Sequence, residues 1–222
     1  MTNWEPLLLS FKLALITTII LVVLGVPFAY WLSGTKTKLK PVLESLISMP
    51  LVLPPSVLGF YLLLAFSPNN WFGGFIDTYF NLRLVFSFEG LIVASVLYSI
   101  PFMIYPLQAA FQNLPPSLKE ASYSLGISPS KTFLRVMIPN IKPALLSGIV
   151  LTFAHTLGEF GVVLMIGGNI PGVSKVASIA IYDEVESMDF DAANQYALVL
   201  VAVSFTILLI LFYFNRSHTR KV

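Results

Sequence analysis

The sequence has no cysteine, which excludes a disulfide framework and thiolate chemistry. It is also poor in charge. Asp, Glu, Lys and Arg make up 11% of its 222 residues, where an ordinary soluble domain carries about a quarter. So few charges cannot cover a surface that faces water on all sides, and the mean hydropathy of +0.83 agrees. No G-x-x-x-x-G-K-[ST] phosphate loop is present, because Lys36-Thr37 and Lys131-Thr132 lack the preceding glycines. An ATPase of that type would therefore have to be another polypeptide. The H-E-x-x-H zinc motif and the D-x-[DN]-x-[DN]-G calcium loop are missing too. No resident metal, no cofactor in this chain and no nucleic-acid partner are expected, and an intramembrane enzyme ranks last among the readings.

What is present is length of apolar sequence. A helix needs about 20 apolar residues to cross the hydrocarbon core. Five segments qualify, at 13–32, 46–66, 91–111, 143–167 and 196–214. The expected fold is all-α: one transmembrane domain over 1–222 with five spans. The fifteen prolines and thirteen glycines suit such helices better than soluble ones. The first run reads as a span and not as a cleaved signal, since its leader carries Glu5, the run is too long and no A-x-A site follows.

The cations fix a direction. Lys36, Lys38 and Lys40 follow the first span; Lys119, Lys131, Arg135 and Lys142 follow the third; Arg216, Arg220 and Lys221 follow the fifth. Only Lys12, Arg83 and Lys175 fall elsewhere. By the positive-inside rule the N-terminus is expected outside and the C-terminus in the cytoplasm. Asp77, Glu89, Asp183, Glu184, Glu186, Asp189 and Asp191 are then all external.

The cytoplasmic connection 113–140 reads as two short amphipathic helices. Ser117 with Glu120 forms a capping-box pattern after Pro115-Pro116. Leu118, Ala121 and Leu125 share one helical face. Gly126 suits a left-handed stop, Ser128 a cap and Pro129 a first helical position. Phe133, Val136 and Met137 make the second apolar stripe, which Pro139 is expected to end.

Glu120-Ala121-Ser122, then Gly126, then Val136, Ile138 and Pro139, resemble the EAA loop of bacterial ATP-binding-cassette importer permeases. The spacing matches throughout; Ser122, Val136 and Ile138 are mild departures from Ala, Ile and Leu. The resemblance implies the permease fold of type I importers, in the bacterial cytoplasmic (inner) membrane. It also implies a coupling helix that contacts two cytoplasmic ATPase subunits, which carry the ATP and magnesium. Leu118, Glu120, Ala121, Ser122, Leu125, Gly126 and Pro139 are the coupling residues it assigns. Five helices are few for an alternately gated path, so a second copy of the chain is expected across a two-fold axis.

Two further stretches, MPLVLPPSVLGF at 49–60 and HTLGEFG at 155–161 followed by GNIPG at 168–172, are similar to molybdate permeases. Sulfate permeases are near relatives and usually carry a further N-terminal helix. An external oxyanion-binding protein is implied as the selective partner, so specificity need not be written in the spans. The residues themselves do not derive molybdate: the spans hold almost no cation, and a neutral solute would fit equally.

Pro54, Pro55, His155, Glu159 and Phe160 are the pathway or gate candidates. The prolines either bend one span between its neighbours or open its backbone to the solute path. Glu159 is the only carboxylate inside a span, with His155 one turn earlier on the same face. A buried carboxylate needs a partner or water. The pair could anchor, gate or relay protons; two ligands are too few for a closed zinc site. A proton-coupled carrier is the rival reading, and it leaves the cytoplasmic loop unexplained. Asp183, Glu184 and Glu186 are binding-protein docking candidates, against the alternative of a solvated loop. The apolar stretch 80–88 is expected as an external hairpin or an interfacial segment.

Overall fold

The computed structural model describes residues 3–219, with side chains as far as 213. Arg220 and Lys221 and the side chain of Arg216, part of the basic tail, lie outside the described residues. The fold is all-helical. In chain order the elements are α1 (Glu5–Gly34), α2 (Lys40–Val52), α3 (Pro55–Phe66), α4 (Trp71–Phe80), α5 (Phe88–Gln112) and α6 (Pro116–Ser124). Then come α7 (Pro129–Thr132), a π turn (Phe133–Met137), α8 (Ile138–Asn140), α9 (Lys142–Leu157), α10 (Gly161–Gly167), α11 (Ala177–Glu186) and α12 (Phe190–Thr219).

Among the described residues three helices, α1, α5 and α12, are long and apolar enough to cross a membrane; the bent pairs α2 with α3 and the run 129–140 with α9 add one each if each pair is one span, up to five. α1 is 30 residues long, or about 45 Å at 1.5 Å per residue, and overshoots the hydrocarbon core. Two of its hydroxyls bond back to their own helix: Ser10 Oγ donates to Pro6 O at 2.9 Å and Thr18 Oγ1 to Ala14 O at 2.7 Å, as an apolar surrounding favours, while buried Thr17 Oγ1 has no partner among the described residues. α1, α5 and α9 pack side by side. Fully buried Met103 of α5 fills notches at Gly25 and Gly148, where an added Cβ would come 3.2 and 3.1 Å from its side chain. One apolar cluster, including Leu32, Ile47, Leu107, Phe111 and Ile141, sits toward the basic end. Another, including Leu13, Phe66, Leu91, Val162 and Ile179, sits toward the opposite end.

Two expected spans are not single helices. The second starts earlier, at Lys40, and divides at residues 53–54, where its halves α2 and α3 bend by 114°. Pro50 is carried inside α2, whereas Pro54 adopts an extended backbone and Pro55 starts α3. The reason is steric: a residue before proline is pushed out of the helical region, and here that residue is itself proline. The fourth span divides at residues 158–160 into α9 and α10. His155 and Glu159 therefore flank a helix end and do not share one continuous helix.

The halves α3 and α10 pack closely against each other. A Cβ on Gly59 would lie 2.8 Å from Met165 Cβ, and one on Gly161 would lie 2.7 Å from Pro55 Cβ. The stretch after α4 forms no strand hairpin, and part of it turns inward. Leu84 and Val85 are buried, and Phe86 N donates to Ile166 O at 2.8 Å. α4 itself leaves five aromatic residues exposed: Trp71, Phe72, Phe75, Tyr79 and Phe80. The acidic segment after α10 is not a plain loop either, because α11 buries Ala177, Ile179 and Ala180.

Candidate functional site

The two breaks meet at one place. A cavity of about 600 Å³ is lined by Pro55, Ser56, Tyr98, Ala154, His155, Gly158, Glu159, Phe160 and Gly161. Four of the five pathway candidates are thus brought together; Pro54 is the residue before α3 and does not line it. The lining holds no lysine or arginine.

Glu159 is held at three atoms, the first being its N–H, which donates to Thr156 O at 3.4 Å. Ser95 Oγ donates to its Oε2 at 3.2 Å, and Ser178 Oγ donates to its backbone carbonyl at 2.5 Å. Its Oε1 is buried and has no partner among the described residues. His155 is held by stacking on Phe102, with ring centroids 3.9 Å apart, and by Tyr98 at 4.8 Å. Its Nδ1 lies 3.1 Å from Ser99 Oγ, which lies 3.0 Å from Thr156 Oγ1, which lies 2.9 Å from Thr152 O. Two hydroxyls supply only two protons for these three contacts. The chain closes when Thr156 donates to Thr152 O, Ser99 to Thr156, and His155 Nδ1–H to Ser99. That leaves Nε2 as the histidine's free nitrogen. The sequence reading missed Ser95, Ser99, Thr152, Thr156 and Ser178. Its available signal was hydroxyls four residues apart, Ser95 with Ser99 and Thr152 with Thr156, on apolar helices.

At the basic end, α6 and the helical run 129–140 form a hydroxyl-clasped pair. Ser122 and Thr132, both buried, share a hydrogen bond of 2.7 Å. Ser122 accordingly faces its own partner helix and not an external groove. Leu125 is 78% exposed, and Glu120 and Ala121 are exposed beside it, while Leu118 is half-buried. Gly126 takes a left-handed φ of 72°, the geometry expected of it. Ser117 is not the cap: α6 begins one residue before it, with Pro115 at the cap position and Pro116 first in the helix, and no side-chain cap bond forms. Ser128 stands at the cap of α7, again without a side-chain bond. Pro139 stands one residue before the end of its helix, and a 77° bend follows into α9. The proline lacks an N–H and crowds the carbonyl four residues back, and a π turn over Phe133–Met137 absorbs the misfit before the helix ends at Asn140.

The acidic candidates have internal work. Asp183 pairs with Lys175 at 2.5 Å and accepts from Asn169 Nδ2 at 2.9 Å, tying α11 to the loop after α10. Glu186 accepts from the Tyr182 hydroxyl at 2.6 Å, which raises the phenol's pKa above its ordinary value. Glu184 is half-buried and Glu186 exposed. A polar group the sequence reading did not single out joins α2 to α5: Gln108 Nε2 donates to Glu44 Oε1 at 2.6 Å, and Tyr105 contacts Ser48 and Glu44 O.

Apolar spans broken at a shared polar cavity, with a clasped helix pair projecting at the basic end, define a transmembrane permease. The chain belongs to the family of binding-protein-dependent transport system inner membrane components, which it matches over residues 11–222. It is 43% identical over 204 residues to the molybdenum transport system permease protein ModB of Azotobacter vinelandii, covering 92% of this chain and 90% of that one. It is 33% identical to YvgM of Bacillus subtilis, covering 97% and 94%. It is 34% identical to the sulfate transport system permease protein CysT of Salmonella typhimurium, covering 89% and 70%. Among solved structures, a bacterial ABC transporter importing the acidic polysaccharide alginate superposes with a TM-score of 0.73 at 16% identity, covering 97% and 80%. The MetNI methionine ABC transporter in an inward-facing conformation gives 0.67 at 18%, covering 96% and 93%. These two define the fold alone: that of ABC importer permeases. The family is a membrane component of such importers and not their ATPase.

Proposed function

We propose that this chain is the permease subunit of a molybdate importer, with tungstate as a second cargo. The observation that carries the cargo is the 43% identity to a molybdenum permease across nearly the whole chain, against 34% for a sulfate permease. Sulfate is the second reading, because that lower identity still spans 89% of the chain. In this reading two copies flank the path and each contributes one cavity of the kind described. Two cytoplasmic ATPases bear ATP and magnesium, and an external binding protein delivers the oxyanion.

The mechanism is alternating access. ATP draws the ATPases together, and they move the exposed surface of α6 around Glu120, Ala121 and Leu125. The Ser122–Thr132 clasp passes that displacement to the run 129–140, which continues into α9 and so reaches the break at 158–160. The cavity's hydroxyls and open backbone suit a weakly held, transient solute, as a conduit requires. The N-terminus lies outside and the C-terminus in the cytoplasm, on the distribution of lysine and arginine. The test is cellular molybdenum uptake from trace molybdate, with and without the gene, read by elemental mass spectrometry. Uptake that falls on deletion and returns with the gene supports the cargo; competition by tungstate or sulfate ranks the oxyanions. Unchanged molybdenum uptake alongside lost sulfate uptake overturns molybdate in favour of the second reading.

A further inference from the structure

The end of α1 and the start of α6 enclose a second cavity, of about 570 Å³, remote from the first. Its floor and walls include Tyr30, Trp31, Phe111 and Met137, and its polar rim carries Lys36 and Lys119. No carboxylate lines it, and neither lysine is ion-paired among the described residues. Lys119 is held by aromatic faces instead. Its Nζ lies 5.8 Å from the ring centroids of both Tyr30 and Tyr123, inside the range of a cation–π contact. Tyr30 is in turn fixed edge-on to Phe111 at 5.2 Å.

The depth of this cavity in the membrane follows from α1. The helix overshoots the hydrocarbon core, so its last turns reach the headgroup layer. Trp31 is 50% exposed and stacks on Phe28 at 5.6 Å, the placement of a residue at the boundary between chains and headgroups. Lys36 lies beyond it. An apolar floor at the boundary under a rim of two unpaired cations matches one kind of molecule: an amphiphile with a negative head.

We propose that this cavity binds the headgroup of an anionic phospholipid, with the phosphate between Lys36 and Lys119 and an acyl chain along Trp31. Basic pockets between spanning helices are a known physical solution for such heads. The site rests on the membrane reading of α1 and is independent of the cargo. It would place a lipid against the first turn of α6, the element that meets the ATPase.

The test uses the assembled transporter in nanodiscs of phosphatidylcholine with added phosphatidylglycerol, and native mass spectrometry to count retained lipid. At about one RT-scaled factor of five to six per lysine, Lys36→Ala with Lys119→Ala should lower phosphatidylglycerol retention about thirtyfold. The exposed pair Lys38→Ala with Lys142→Ala removes the same charge outside the cavity and should lower retention far less. Lys36→Arg with Lys119→Arg, which keeps the cations, should retain the lipid and shows that the site is still folded. Equal losses in the two alanine pairs would overturn the proposal, as would equal retention of phosphatidylcholine. Displacement of the lipid by millimolar inorganic phosphate would reassign the cavity to free anions and overturn the lipid as its occupant.

Discussion

Glu159 is the residue whose role can be decided by magnitude. Suppose its carboxylate were charged and faced the path. A doubly charged oxyanion passing at about 6 Å would be repelled by about 5 kcal/mol at an effective dielectric of about 20. That is on the order of several thousandfold in rate, too much for a conduit to carry. The observed contacts point the other way: Oε2 accepts from Ser95 on α5, and the backbone carbonyl accepts from Ser178. In the reading proposed here Glu159 anchors the break between α9 and α10. Glu159→Gln keeps the volume and an acceptor for Ser95, so assembly should persist and uptake should stay within about threefold. Glu159→Ala leaves the fully buried Ser95 hydroxyl without its acceptor, at about 1–3 kcal/mol. For a chain of this size that lowers the unfolding midpoint by about 4–8 °C at the middle of the range. The assays are thermal unfolding of the purified complex and molybdate uptake into vesicles with ATP inside. An assembled Gln variant with uptake abolished, or with uptake raised a hundredfold, would refute the anchoring role.

The Ser122–Thr132 clasp predicts non-additivity. Ser122→Ala and Thr132→Ala should each cost about 1–3 kcal/mol and the double variant little more than either, since the orphaned partner is gone; a thermal double-mutant cycle measures it. Gly161→Val forces a side chain into Pro55 and should destabilise by about 1–3 kcal/mol, with the cavity distorted and uptake lost. Glu120→Lys should leave the fold intact, because Glu120 is exposed, yet separate ATP hydrolysis from uptake; full uptake would contradict the coupling role. Reversal of Glu184 to lysine should weaken contact with the binding protein in a salt-dependent manner, and unchanged affinity across salt concentrations would remove that docking role.

Much of this molecule was legible in one dimension. Apolar runs of span length mark where chain crosses lipid, and the clustered lysines mark one end. The glycine at 126 could be read because only a left-handed residue suits a stop there. Three-dimensional consequences were less accessible. A hydropathy window senses length and not direction, so the 114° bend at residues 53–54 and the break at 158–160 were hidden within apolar runs. The Ser117 capping box lost to Pro116, whose fixed φ already suits a first helical residue and starts α6 earlier. Pro139 reads as a stop, and the helix does end one residue later at Asn140; no local pattern marks the π turn ahead of it. The hydroxyl chain from Thr152 to His155 joins two helices 56 residues apart in sequence, beyond the reach of any local pattern. Stretch 80–88 reads as a hairpin or interfacial segment, but the Phe86 amide finds its acceptor at Ile166, far away in sequence.

The glycine contacts between α3 and α10 have a mechanical consequence. Where Gly59 meets Met165 and Gly161 meets Pro55, the two half-helices have no slack to slide, so they behave as a single lever. At one end the lever meets the rest of the chain at 53–54, next to cavity-lining Pro55, and at 158–160, which lines the cavity itself. A body turning about a line through two such points sweeps the space beside that line. Tilting it by a few degrees must therefore change the volume of the void, without any residue there changing its rotamer.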